Sequence, residues 1–195
     1  MKVGGWALAF VVIGSTQAWA ERQVKPFVGT SFRGGTTFID VENAAGQPSI
    51  VLGANGVLLG EVFGLDVDVG YSPGFFESSS HNLVLSSSVT TLSGGVILAL
   101  PRRLAEVGLR PYLVGGGGLM RVRINQTFDM LRVARTLPAV NVGGGVTGFL
   151  TDRIGLNWEV RYFRNVGSDS SGSGVSFGRE QISFWRGSMA LAIRY

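Results

Sequence analysis

The sequence predicts an all-β fold, a closed antiparallel eight-stranded transmembrane β-barrel. Three observations carry that prediction. Apolar and polar residues alternate with a period of two along most of the chain after Glu21, the pattern of strands with one apolar face. The connections between these segments are short and long by turns, as in barrels whose turns lie on one side of a membrane and whose loops lie on the other. The face opposite the apolar one is small and carries charges of both signs. A water-facing surface would carry more Lys and Glu, and Lys25 is the one lysine after residue 20.

The first twenty residues read as an address. Lys2 supplies a positive start, Val3–Gly14 is apolar, and Ala18-Trp19-Ala20 has the small-x-small form of a signal-peptidase site. The apolar run falls short of the ~20 residues that a spanning helix requires. Residues 1–20 are therefore expected to be a cleaved signal peptide and residues 21–195 the barrel.

Eight strands follow, expected at Val24–Gly34, Ile50–Leu59, Phe63–Ser72, Leu83–Leu100, Leu109–Ile124, Ala139–Leu150, Ile154–Phe163 and Ser183–Tyr195. The third is the plainest: from Phe63 to Tyr71 every odd position is apolar and every even one is Gly or Asp. In the seventh, Ile154, Leu156, Trp158, Val160 and Tyr162 share one face, and Gly155, Asn157, Glu159 and Arg161 the other. In the eighth, Trp185, Met189, Leu191, Ile193 and Tyr195 oppose Arg186, Ser188, Ala190, Ala192 and Arg194. Gly60–Val62, Pro101–Gly108 and Thr151–Arg153 are the short turns. Gly35–Ser49, Pro73–Asn82, Asn125–Pro138 and Arg164–Ile182 are the longer loops.

Composition narrows the chemistry. The chain has 195 residues, no cysteine and one histidine, which removes disulfides, thiolate metal sites and a cysteine nucleophile. No metal or cofactor is expected. The net charge is +4, but the positives are scattered and form no basic run, so no nucleic-acid partner is expected. Eight strands leave an interior that side chains fill, whereas diffusion porins use about 16–18.

Two sets of residues stand out. Phe63, Tyr112 and Tyr195 near the short turns, with Tyr71, Tyr162 and Trp185 near the long loops, would form two aromatic girdles at the membrane interfaces. Asp66, Asp68, Glu159, Arg161, Arg186 and Arg194 fall on the polar face and would meet in the lumen. Pairing across the Arg164–Ile182 loop would bring Glu159 close to Arg186, with Arg161 one step away. The set reads as an ion-pair network filling a closed barrel, with a proton path or gate as the alternative.

Three further features are weaker. Gly94-Gly95, Gly115–Gly118 and Gly143–Gly145 would share one height if the hairpins were symmetric, forming a belt that permits sharp bending. His81, beside Ser78–Ser80 and Glu77, holds hydrolase ingredients without evidence of triad geometry. Asp129–Arg135 could form a helical turn presenting Arg132 and Arg135 to lipopolysaccharide phosphates or simply to solvent.

The signal peptide, eight alternating strands and an aromatic C-terminal strand end resemble the small outer-membrane β-barrel family, the OmpA/OmpX-like barrels. The resemblance implies an outer-membrane location, a monomer, and a non-enzymatic protein acting structurally or through its extracellular loops. It implies contact with outer-membrane lipid or lipopolysaccharide. Met189, Leu191, Ile193 and Tyr195 look like that family's terminal signal to the barrel-assembly machinery. Two other classes remain open: a lipid-modifying hydrolase or acyltransferase using His81, and a soluble lipocalin-like lipid carrier.

Overall fold

The computed structural model describes residues 20–36, 48–75, 84–104, 108–126, 133–166 and 182–195. The expected signal peptide up to residue 19, His81 with its neighbours, Arg132 and the tips of the longer loops lie outside them. The strands are β1 (Glu21–Thr36), β2 (Ser49–Leu59), β3 (Phe63–Pro73), β4 (Val84–Ala99), β5 (Leu109–Gln126), β6 (Val133–Phe149), β7 (Ile154–Asn165) and β8 (Ile182–Arg194). Each pairs antiparallel with the next, and β1 closes on β8. One 3₁₀ turn, Arg102–Leu104, lies between β4 and β5.

Two strand starts differ from expectation. β1 begins at Glu21 rather than Val24, because Glu21, Gln23 and Lys25 already point inward. Polar residues on the inner face at this end hide the alternation. β6 begins at Val133 rather than Ala139, with Val133 paired to Ile124 and Thr136 to Arg121. That stretch forms a tall hairpin with β5 beyond the apolar band, where neither face need be greasy. Arg135 therefore belongs to a strand, not to a helical turn.

The register fixes the shape. Partners followed strand by strand run Arg22, Leu58, Leu65, Val96, Gly115, Val142, Tyr162, Trp185 and back to β1 at Phe32, a stagger of ten residues. Such a stagger on eight strands requires strong tilt, of about 35–45°, and leaves an interior that side chains occupy.

That interior is layered. Toward the short turns, Val57, Leu59, Ile97, Ala99, Tyr112 and Val114 pack together. Toward the long loops, Phe75, Val89, Met120, Val122, Ala139, Phe163, Ile182 and Phe184 form a second apolar cluster, with Phe184 stacked on Phe163 at 5.2 Å. Between them lie the buried charges. The outer wall is the reverse of a soluble surface: Leu52, Leu65, Val67, Leu92, Val96, Leu113, Val142, Trp158 and Leu191 are all exposed.

Candidate functional site

β3 turns Asp66 and Asp68 inward, β7 turns Glu159 and Arg161, and β8 turns Arg186; all five are buried. Arg161 and Arg186 are register partners on neighbouring strands, so two guanidiniums lie side by side away from bulk water. Such a pair requires nearby carboxylates. The opposite wall supplies two of the three. Arg186 donates Nη1 to Asp68 Oδ1 at 2.9 Å and Nη2 to Asp68 Oδ2 at 2.7 Å. Arg161 donates Nη2 to Asp66 Oδ2 at 3.0 Å, and Nε and Nη2 to the two oxygens of Glu159, each at 2.9 Å. Glu159 also stands 3.5 Å from Arg186. Asn55 donates to Asp66 at 2.9 Å. The Arg186 guanidinium sits between two rings, 4.5 Å from the centre of Phe27 and 4.9 Å from that of Phe163, favourable places for a desolvated cation.

Glycines make the room. A Cβ at Gly70 would come within 2.9 Å of Arg186 Nη1, and one at Gly95 within 2.8 Å of Asp66 Oδ1. Gly116 and Gly118 serve the sheet instead: their Cβ atoms would strike the backbone of Gly94, Gly95, Leu92 and Ser93 across the ladder. The expected single-height belt is only partly formed. Gly94 and Gly95 oppose Gly117 and Gly116, but Gly143–Gly145 oppose Tyr112–Val114. The β5–β6 hairpin is offset from the symmetric one by three positions, so the third cluster lies lower.

Tyr112 is a correction. It was expected on the outer girdle, yet it is buried, with its hydroxyl 3.0 Å from Asn157 Oδ1 and 2.9 Å from Glu159 Oε2. On β5 it shares the inward face with Arg110 and Val114, while Leu109, Pro111 and Leu113 point out. Proximity to a short turn suggested a girdle, and strand parity decides otherwise. The other expected girdle residues do face outward: Phe63, Tyr71, Trp185 and Tyr195 are exposed and Tyr162 half-buried. Tyr162 and Trp185 are register partners with ring centres 5.1 Å apart. Met189, Leu191 and Ile193 are exposed on the outer wall of β8.

Arg194 is a second correction. It belongs not to the central set but to the short-turn mouth, where it pairs with Glu21 and lies over the Phe149 ring at 3.8 Å. Glu21 also pairs with Arg102 and stands 3.6 Å from Arg110. Arg110 in turn donates Nη2 to the carbonyls of Gly60 and Glu61, at 2.8 and 2.6 Å, which ties the turn after β2 to the mouth. Lys25 bridges the two levels. Its Nζ donates to Thr147 and Asn157, both at 3.2 Å, and lies 5.0 Å from the centre of the Tyr112 ring. Sequence reasoning missed Glu21, Lys25 and Arg110. The signal was present in the alternate spacing of Glu21, Gln23 and Lys25, opposed by Arg22 and Val24.

Chemically, each carboxylate of the central set faces at least one guanidinium. The set thus joins opposite walls and fills the cross-section rather than presenting a free acid or base.

No family model matches the chain, and no curated protein matches its sequence. Solved structures do match. Neisserial surface protein A superposes with a TM-score of 0.66 at 11% identity, over 89% of this chain and 97% of that one. OprG from Pseudomonas aeruginosa gives 0.57 at 12%, over 90% and 96%. The N-terminal β-barrel domain of OprF from the same organism gives 0.54 at 14%, over 90% and 98%. Identities this low establish likeness of backbone alone: the chain has the fold of the small eight-stranded outer-membrane barrels.

Proposed function

We propose that the chain is a small integral outer-membrane protein without enzymatic activity, acting structurally or through the loops at its long-loop end. The observation that supports this is the inverted polarity of the barrel, with Asp68, Arg161 and Arg186 inside and Val67, Val160 and Leu191 outside. Lipid is the solvent that favours such an exterior. Phe63 and Tyr195 at one end, and Tyr71 and Trp185 at the other, stand roughly 20 Å apart along the axis for a ~3.3 Å rise and ~40° tilt, close to the apolar band of about 25 Å that membrane barrels carry. A soluble lipid carrier needs the opposite polarity, and here buried charges occupy the place of its ligand. His81 is given no catalytic role.

Residues 1–20 act in this reading as a cleaved export signal; β1 starting at Glu21, directly after Ala20, supports it. Met189, Leu191, Ile193 and Tyr195 are the residues offered to the barrel-assembly machinery, and the working unit is a monomer. The test is fractionation. The protein should sediment with outer membrane, resist carbonate extraction, and migrate faster unboiled than boiled. Release into the soluble periplasmic fraction would sink the reading.

A further inference from the structure

The outer wall carries an unexplained charge pattern. Among the described residues, its strand positions hold no carboxylate, and the charges they hold are Arg22, Arg121, Arg123 and Arg164. Arg22 lies at the short-turn end of β1. The other three lie at the long-loop end, on β5 and β7, and all are exposed. Among the described residues, none of these three has a hydrogen-bond or ion-pair partner.

Their surroundings are polar above and apolar below. Arg121 is flanked in register by Thr90 on β4 and Thr136 on β6, and Arg123 by Ser88. Arg164 has Ser183 as its partner on β8. Two positions along the same faces toward the short turns come Leu119 below Arg121, Leu92 below Thr90, and Tyr162 below Arg164. The guanidiniums therefore stand at the border of the apolar band on one side of the barrel, with Arg164 two positions above Tyr162 of the Tyr162–Trp185 pair.

We propose that this face binds the phosphate groups of an anionic outer-leaflet glycolipid, with Arg121, Arg123 and Arg164 as the phosphate ligands and the Thr90, Thr136 and Ser88 hydroxyls beside them. An unpaired guanidinium at a membrane border is desolvated on one side, and a phosphate restores its hydrogen bonds in a bidentate geometry that a lone water cannot supply. The site faces sideways, along the wall, where lipid rather than a protein ligand arrives first. Leu92 and Leu119 directly beneath would receive the upper part of an acyl chain. The inference rests on the outer-membrane reading.

The test uses the refolded full barrel in detergent micelles and native mass spectrometry, with three probes: bis-phosphorylated lipid A, the same lipid dephosphorylated, and inorganic phosphate. Wild-type protein should prefer the phosphorylated lipid by about tenfold or more. The R121Q/R123Q/R164Q variant should lose that preference. R22Q, which removes the outward arginine at the other end, should keep it. Inorganic phosphate at millimolar concentration should not displace the lipid. A triple variant that keeps the preference overturns the site, and displacement by inorganic phosphate overturns the lipid as its occupant. Insertion into vesicles and heat-modifiable migration are measured on the same samples. A barrel that inserts but shows no phosphate preference sinks the lipid site alone; one that does not insert sinks the outer-membrane reading with it.

Discussion

Arg186 and Asp68, 118 positions apart in sequence, meet inside the barrel through two parallel hydrogen bonds. Neither strand carrying them pairs with the other: β8 lies between β7 and β1, and β3 between β2 and β4. The contact is a strut across the lumen, and both side chains are essentially without solvent exposure. Arg186 has a second carboxylate, Glu159, on the neighbouring strand but farther away.

The strut should dominate the energetics of Arg186. D68N leaves the guanidinium buried with its bidentate partner gone, a loss of about 3–5 kcal/mol. A double-mutant cycle of D68N with R186M should therefore return well over ~1 kcal/mol of coupling. The cycle of E159Q with R186M should return less, because the 3.5 Å contact is single and Glu159 chiefly serves Arg161. Urea unfolding of the barrel refolded in vesicles measures both. Equal couplings, or none for Asp68, would show that the strut does not form in the membrane.

The two faces are tested by probes rather than by stability alone. Spin labels at positions 67, 160 and 191 should be reached by a lipid-soluble quencher, and labels at 68 and 161 should not. V160R should destabilise by about 2–4 kcal/mol if the position lies near the midplane. The opposite accessibility pattern would place the charged face outside and remove the membrane assignment.

Much of this was legible in the sequence, for a physical reason. A barrel whose packed interior holds charges and whose exterior faces lipid must alternate, so each strand announces its faces, as in Phe63–Tyr71. The alternation fades where a strand leaves the apolar band: at Glu21–Lys25, where the inner residues are polar, and at Val133–Thr136, which pair with Arg121–Ile124 at the far border of that band. Hairpin register is another matter. Glu159 near Arg186 followed from counting across one loop, whereas the partnership with Asp68 depends on the cumulative stagger of all eight strands. Tyr112 was misplaced because closeness to a turn says nothing about which way a side chain points; Leu109 and Leu113 on the alternate positions did.

Tyr112 now makes its own prediction. Its hydroxyl sits between Asn157 and Glu159 with Lys25 over the ring. Y112F deletes one buried hydroxyl and with it a hydrogen bond to the Glu159 carboxylate or to Asn157, which costs about 1–3 kcal/mol. Y71F, on the exposed outer wall, should stay within ~0.5 kcal/mol of the parent. Unfolding free energies in vesicles separate the two. Similar small losses for both would return Tyr112 to the outer face.

The last prediction concerns adjacent glycines with opposite surroundings. Gly116 points inward on the β4–β5 wall, and a Cβ there would meet the backbone oxygen of Gly94 and lie 2.6 Å from the Cα of Gly95. Backbone cannot rotate away as a side-chain tip can, so G116A must open the ladder locally, at a cost of about 1–3 kcal/mol. Gly115 points outward, and a Cβ there would find nothing nearer than 3.9 Å. G115A should be neutral or stabilise by up to about 1 kcal/mol, since alanine restricts the unfolded chain without straining the strand. Paired urea titrations in one lipid composition decide the matter. If the two substitutions cost the same, the β4 and β5 backbones do not approach each other at Gly116 as closely as the register has them, and the glycine run of β5 must be explained by something other than close approach of the strands.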